Sequence, residues 1–165
     1  MKKYSRILII ANLVLLLGYF NWSVYKKEQT LKDGQFFLLE LAPVDPRSLM
    51  QGDYMRLNYL EASSDLINEQ TAQRGYAILK TDSNQVGDLV RLQNALKPVN
   101  SEELAIKYKI VRNRIFLGNE SFFFEEGQDT LYQNAKYGGL KVDDKGQSLL
   151  IGLYDEHFQP ILPNK

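Results

Sequence analysis

The hydrophobic positions of this chain form one long block and then many short ones. Residues 7–25 (ILIIANLVLLLGYFNWSVY) carry no charge and are almost all apolar, with Lys2, Lys3 and Arg6 before them and Lys26 and Lys27 after. Wound as a helix, such a run spans about 28 Å, close to the ~30 Å hydrocarbon core of a bilayer. The pattern predicts one membrane-spanning helix. Residues 28–35 are polar and include Asp33-Gly34, which reads as a short, turn-like stalk.

Beyond the stalk the apolar runs shrink to strand length. Residues 36–42 are densely apolar and closed by Pro43; residues 54–60 alternate Tyr54, Arg56 and Asn58 with Met55, Leu57 and Tyr59, the period-two signature of a half-buried strand. Further strands are predicted over 76–81, 89–92, 106–116 and 121–124. Ser64-Asp65 predict the cap of a short helix reaching residue 73, and Asp129 the cap of another through 135. Residues 140–142 and 148–153 flank Asp143-Asp144-Lys145-Gly146, a β-hairpin turn whose glycine supplies positive φ. With no alternating βαβ pattern, the expected fold is mainly β with a minor α part. It is a transmembrane helix followed by a small antiparallel β-barrel or bent-sheet domain carrying one or two short helices.

Composition refines the placement. A cleaved signal peptide shares the basic start and apolar middle, but Asn21-Trp22-Ser23-Val24-Tyr25 lacks a small-x-small cleavage site, so an uncleaved signal anchor is expected. Trp22 and Tyr25 suit a membrane interface, and the positive charge at the start keeps that end cytoplasmic. The segmentation is then anchor at 1–27, stalk at 28–35 and extracytoplasmic domain at 36–165, periplasmic or extracellular. The chain has no cysteine, so neither disulfides nor thiolate metal sites are available. All twenty acidic residues but only fifteen of the twenty basic ones follow Lys27, leaving the exported part near −5. Nucleic acid, which rewards a basic face, is not an expected partner.

The densest chemistry lies in DPRSLMQGDYMRLNY, residues 45–59. Pro43 and Pro46 hold the residues before them extended, Gly52 offers positive φ, and Asp53 can accept neighbouring backbone amides as an Asx turn. This reads as a rigid corner entering a strand. The functional reading adds Arg47 and Arg56, whose forks can hold Asp45, Asp53 or a bound chain terminus in paired hydrogen bonds. Tyr54 and Tyr59, an odd number of positions apart, face opposite sides of a regular strand, so one is core and the other surface or partner-facing.

Gly52-Asp53-Tyr54-Met55-Arg56-Leu57-Asn58-Tyr59 resembles the G-D-Y-x-x-L-x-Y signature that names a family of bacterial membrane-anchored proteins. Residues 41–49 (LAPVDPRSL) are similar to the segment that precedes it, and Phe123-Phe124-Glu125-Glu126-Gly127 with Ala135-Lys136-Tyr137-Gly138 to its second region. The resemblance implies an amino-terminal hydrophobic segment and an encoding beside, or fusion to, multi-pass membrane proteins. It carries over no activity, no catalytic residue and no cofactor. Asp45, Arg47, Gly52, Asp53, Tyr54, Arg56, Tyr59, Glu126 and Gly127 are the positions expected to form a site or partner surface.

A rival reading comes from membrane-anchored signal peptidases, whose S-M-x-P-T-L-x-x-G-D segment is echoed in Ser48-Leu49-Met50-Gln51-Gly52-Asp53. The nucleophile's place, eight residues before Gly52, holds Val44, which has no oxygen to attack a carbonyl. Ser48 with Lys80 or Lys97 as a desolvated base is the substitute that this alternative requires. One histidine, His157, excludes a multi-histidine metal site within one chain. Glu125-Glu126 as adjacent strand residues point to opposite faces, which suits an edge better than paired acid–base work.

Within the span, Ala11 and Gly18 share one helical face and Asn12 lies on another, as expected of contacts to a neighbouring helix. In Phe122-Phe123-Phe124 alternate rings are expected to fill the core. Lys107, Lys109, Arg112 and Arg114 form a basic run whose ordinary role is to keep a strand edge solvated. The sequence therefore predicts a single-pass, inner-membrane-anchored, non-enzymatic accessory module for a multi-pass envelope membrane protein, touching membrane lipid through its helix.

Overall fold

The computed structural model describes residues 2–42, 54–60, 66–68, 70–97, 99–125 and 127–163. Helix α1 runs through Lys2–Asp33, so the polar stretch expected as a turn-like stalk continues the helix instead. Three interactions account for the extension. Thr30 Oγ1 bonds back to the Lys26 carbonyl at 3.2 Å, Gly34 N donates to the Thr30 carbonyl at 2.9 Å, and Lys141 Nζ caps the Leu31 carbonyl at 2.6 Å. A cation on the last exposed carbonyls satisfies groups that every helix end leaves open. That contact ties the foot of α1 to the β-domain, and Thr30 is buried there.

Among the described residues nine strands follow: β1 (Gln35–Glu40), β2 (Tyr54–Arg56), β3 (Arg74–Thr81), β4 (Gly87–Gln93), β5 (Glu103–Val111), β6 (Arg114–Phe116), β7 (Ser121–Phe123), β8 (Tyr137–Val142) and β9 (Ser148–Tyr154). The one-turn helix α2 (Asp129–Tyr132) sits between β7 and β8. Three antiparallel sheets result, ordered β1-β8-β9, β2-β7 and β4-β3-β5-β6. Bulges at Ile78/Leu79 and Gly139/Leu140 bend the two larger sheets, since an extra residue on one strand increases local twist.

Backbone bonds between sheets curl them into a half-barrel. Leu38 N reaches the Gln85 carbonyl, Lys107 N the Gly146 carbonyl, and Leu41 pairs with Tyr59. The concave side holds one core, including Phe37 and Leu39 of β1, Ala77 and Leu79 of β3, Ile106 and Tyr108 of β5, and Leu140 of β8. The expected mainly-β domain with a bent sheet is what the chain forms.

Three turns share one five-residue design. Asp82, Asp143 and Asp155 each accept, on Oδ1, the amides of the residues two and four further on, at 2.7–2.9 Å. The fourth residue of each takes positive φ: Gln85 (64°), Gly146 (74°) and Phe158 (61°). The aspartate thus replaces two backbone acceptors that a tight reversal cannot supply. Only the turn with the glycine was evident from sequence.

Several local expectations are corrected. The run read as one strand over 106–116 is two, β5 and β6, reversed at Arg112-Asn113 with φ of 50° and 60°. Such a pair is a type I′ turn, which normally advertises itself with glycine. Of the helix expected from 64 to 73, residues 64, 65 and 69 lie outside the described residues and Leu66 is in a 3-10 turn; from Asn68 to Gln73 the described residues form no helix, since Asn68 Oδ1 takes the Gln70 amide at 3.0 Å and Thr71 N bonds the Asn68 carbonyl. A short amide side chain competes with helical bonding in this way. The second helix stops at Tyr132, and Gln128, not Asp129, holds its cap position.

Candidate functional site

Strand β2 carries the signature alternation. Met55 (2 % exposed), Leu57 and Tyr59 point into the core, whereas Arg56 is exposed. β2 pairs antiparallel with β7, placing Tyr54 opposite Phe123, Met55 opposite Phe122 and Arg56 opposite Ser121. Cross-strand partners share a face, so Phe122 turns inward with Met55 and Phe123 turns outward with Arg56. Phe123 is 73 % exposed. Phe122 and Phe124 instead pack on Tyr132 of α2, with centroids 4.9 and 5.6 Å away, the first edge-to-face. The alternation expected of the triple phenylalanine is therefore present, and α2 is held by its rings.

Tyr59 is the keystone of the inner face. Its hydroxyl donates to the Asn119 carbonyl at 2.8 Å, and its ring lies so close to Gly138 that a Cβ there would stand 3.1 Å from it. Burial, seconded by the negative charge of Glu120, pushes the phenol far above its ordinary pKa. Asn119 is fixed in turn, its side-chain amide donating to Ser148 Oγ at 2.6 Å. Glu120 closes the 117–120 turn, accepting the amides of Leu117 and Gly118 on one oxygen while its carbonyl takes the Leu57 amide at 2.9 Å. One network thus joins the strand of the signature, the β6–β7 turn, the glycine of β8 and the start of β9.

Of the residues expected to form a site, Asp45, Arg47, Gly52, Asp53 and Glu126 lie outside the described residues, as does Ser48. Tyr54 is placed by its backbone in β2. Arg56 is on the outward face, Tyr59 is core, and Gly127 is an exposed turn glycine with φ of +84°. Ala11, Asn12 and Gly18 are exposed on α1, and nothing lies within 4 Å of a Cβ built at Gly18. The structure therefore brings the signature strand beside Phe122 and Phe123, and sets Gly138 against Tyr59. It leaves the helix positions facing outward.

Sequence reasoning missed Asn119, Glu120 and Ser148. The Leu117-Gly118-Asn119-Glu120 run between two strands is turn chemistry, and it was the available signal. It also missed the fork of Arg91 on Glu103, two bonds of 2.7 and 2.8 Å. With a further bond from the Asn100 amide, the fork holds the Glu103 carboxyl down to about 2. Lys80 is exposed and 3.6 Å from Glu102, Lys97 is exposed, and His157 is exposed beside Glu156. Among the described residues no three acidic or histidine side chains converge as metal ligands.

Among the described residues, one helix long and apolar enough to cross a membrane leads into a curled mainly-β domain. The family model described as "GDYXXLXY protein" matches residues 16–153, most of the chain, and the protein belongs to that family. No curated protein and no solved structure matches it.

Proposed function

We propose that the protein is a single-pass, inner-membrane accessory module whose extracytoplasmic β-domain docks on a multi-pass envelope membrane protein, without chemistry of its own. The observation that carries this reading is the fate of the signature side chains. Leu57 and Tyr59 are spent on the fold, and the phenol, the most reactive group among them, is buried on a backbone carbonyl. What the same strand pair offers outward is the exposed Arg56 and, diagonally across on the same face, the exposed ring of Phe123. Arginine and aromatic residues are the types that dominate binding energy at protein interfaces. The uncovered Ala11 and Gly18 on α1 suit a second contact within the bilayer, since small residues let helices approach closely.

The signal-peptidase-like alternative needs a desolvated lysine beside Ser48, and exposure of Lys80 and Lys97 lends it no support. Purification of the tagged full-length chain in mild detergent tests the proposal. Wild type is expected to bring down a multi-pass membrane protein, and Asp53→Ala or Arg56→Ala, at matched folded levels, to lose most of it. Equal recovery with both variants, or loss of function on Ser48→Ala alone, would count against docking through this face.

A further inference from the structure

The last turns of α1 and the β-domain enclose a cleft of about 1760 Å³. Five lysines line it: Lys26 and Lys27 from α1, Lys97 from the β4–β5 connection, Lys107 from β5 and Lys145 from the β8–β9 turn. Four acidic residues line it as well. Two of these are already engaged, Glu103 by the Arg91 fork and Asp143 by the amides of Lys145 and Gln147. Among the described residues none of the five lysines is held in an ion pair. The domain around the cleft is acidic, with fifteen basic against twenty acidic residues after Lys27, whereas the five lysines of the cleft exceed its four carboxylates by one, and by two once Arg91 neutralises Glu103.

Its height along the helix matters. Counting from Ile7, a hydrocarbon core of ~30 Å takes up about twenty residues at 1.5 Å each, so Trp22 to Lys27 stand where the helix leaves the bilayer. Lys26 Nζ lies 3.9 Å over the Trp22 ring, an arrangement that keeps the apolar ring low and the charge at headgroup level. Leu96 and Val99 add apolar surface on the domain side. A soluble anion has no use for that apolar wall, whereas a phospholipid presents a phosphate and a glycerol–acyl junction together.

We propose that this cleft seats the headgroup of an anionic phospholipid of the surrounding bilayer, its phosphate held between lysines of the helix and lysines of the β-domain. Bound there, one lipid bridges anchor and domain and fixes how the domain stands on the membrane. The inference rests on α1 spanning the bilayer, which retention of the chain in alkaline-washed membranes establishes first, and it does not depend on any protein partner.

The test is native mass spectrometry of the full-length chain in non-ionic detergent, offered phosphatidylglycerol and phosphatidylcholine in equal amounts. Wild type is expected to retain phosphatidylglycerol by roughly tenfold over phosphatidylcholine, the scale that one to two lysines at an anionic surface supply. Lys97→Gln with Lys145→Gln brings the ratio close to one. Lys109→Gln with Arg112→Gln, on the β5–β6 hairpin, leaves it unchanged. Thermal melts of all three forms confirm equal folding, and wild type alone reads the selectivity if a variant does not fold. No selectivity in wild type, no loss in the cleft variant, or equal loss in the hairpin variant would each overturn the proposal.

Discussion

Tyr59→Phe removes one oxygen from the core and leaves the ring where it is. The lost group donates to the Asn119 carbonyl at 2.8 Å from a side chain only 4 % exposed. A net hydrogen bond contributes about 1 kcal/mol, and leaving a half-buried carbonyl with one donor fewer raises the loss to ~1–2 kcal/mol. For a chain of this size 1 kcal/mol shifts the melting midpoint by about 2–4 °C, so a drop of about 2–8 °C is expected. Tyr59→Ala also empties the space against Gly138 and costs ~3–5 kcal/mol. Urea and thermal unfolding of the full chain in detergent, followed by circular dichroism, reads both. Because Asn119 is held from its other end by Ser148, Tyr59→Phe and Ser148→Ala share a partner, and their double variant departs from additivity by at least about 0.5 kcal/mol. A Tyr59→Phe midpoint equal to wild type, with strict additivity, would refute the network.

Three further outcomes follow from the same geometry. The Glu103 carboxyl, held to about 2 against an ordinary 4.5, contributes stability that is fully present above about pH 4.5 and lost as pH falls toward 2; melting midpoints between pH 5 and pH 3 therefore fall more steeply in wild type than in Glu103→Gln. Gln85 holds a φ of 64° that glycine adopts freely, so Gln85→Gly is expected to stabilise by about 0.5–1 kcal/mol in urea unfolding, against the usual cost of adding a glycine. Gly139→Ala drives a Cβ into the Cε2 edge of the Tyr154 ring, which must shift from its place on β8–β9, a loss of ~1–3 kcal/mol in the same assay.

Periodicity marked the strand buried on one face, and unbroken apolar runs marked the strands buried on both. Met55, Leu57 and Tyr59 alternate with Arg56 and Asn58, and β1 and β3 present buried runs at Phe37–Leu39 and Ala77–Leu79. What stayed hidden depends on φ and on side chains that replace backbone acceptors. Arg112-Asn113 reverses the chain with no glycine, and Gln85 and Phe158 do what Gly146 does because Asp82 and Asp155 take up the orphaned amides. The helical stalk was hidden for another reason. Its polar residues are extended as helix by a cap from Lys141, more than a hundred residues away in sequence. At the candidate site, sequence identified the strand, while the anchor of Tyr59 on Asn119 arises only when the β6–β7 turn folds over β2.

The most direct test of the account is a photo-crosslinking amino acid placed in living cells at position 123, on the same outward face as Arg56, with the exposed position 90 of β4 as the control. The account predicts a covalent adduct to a multi-pass membrane protein from position 123, lost on Arg56→Ala, and none from position 90. Adducts of the same kind and yield from both positions, or none from position 123 in a folded, membrane-inserted protein, would contradict it.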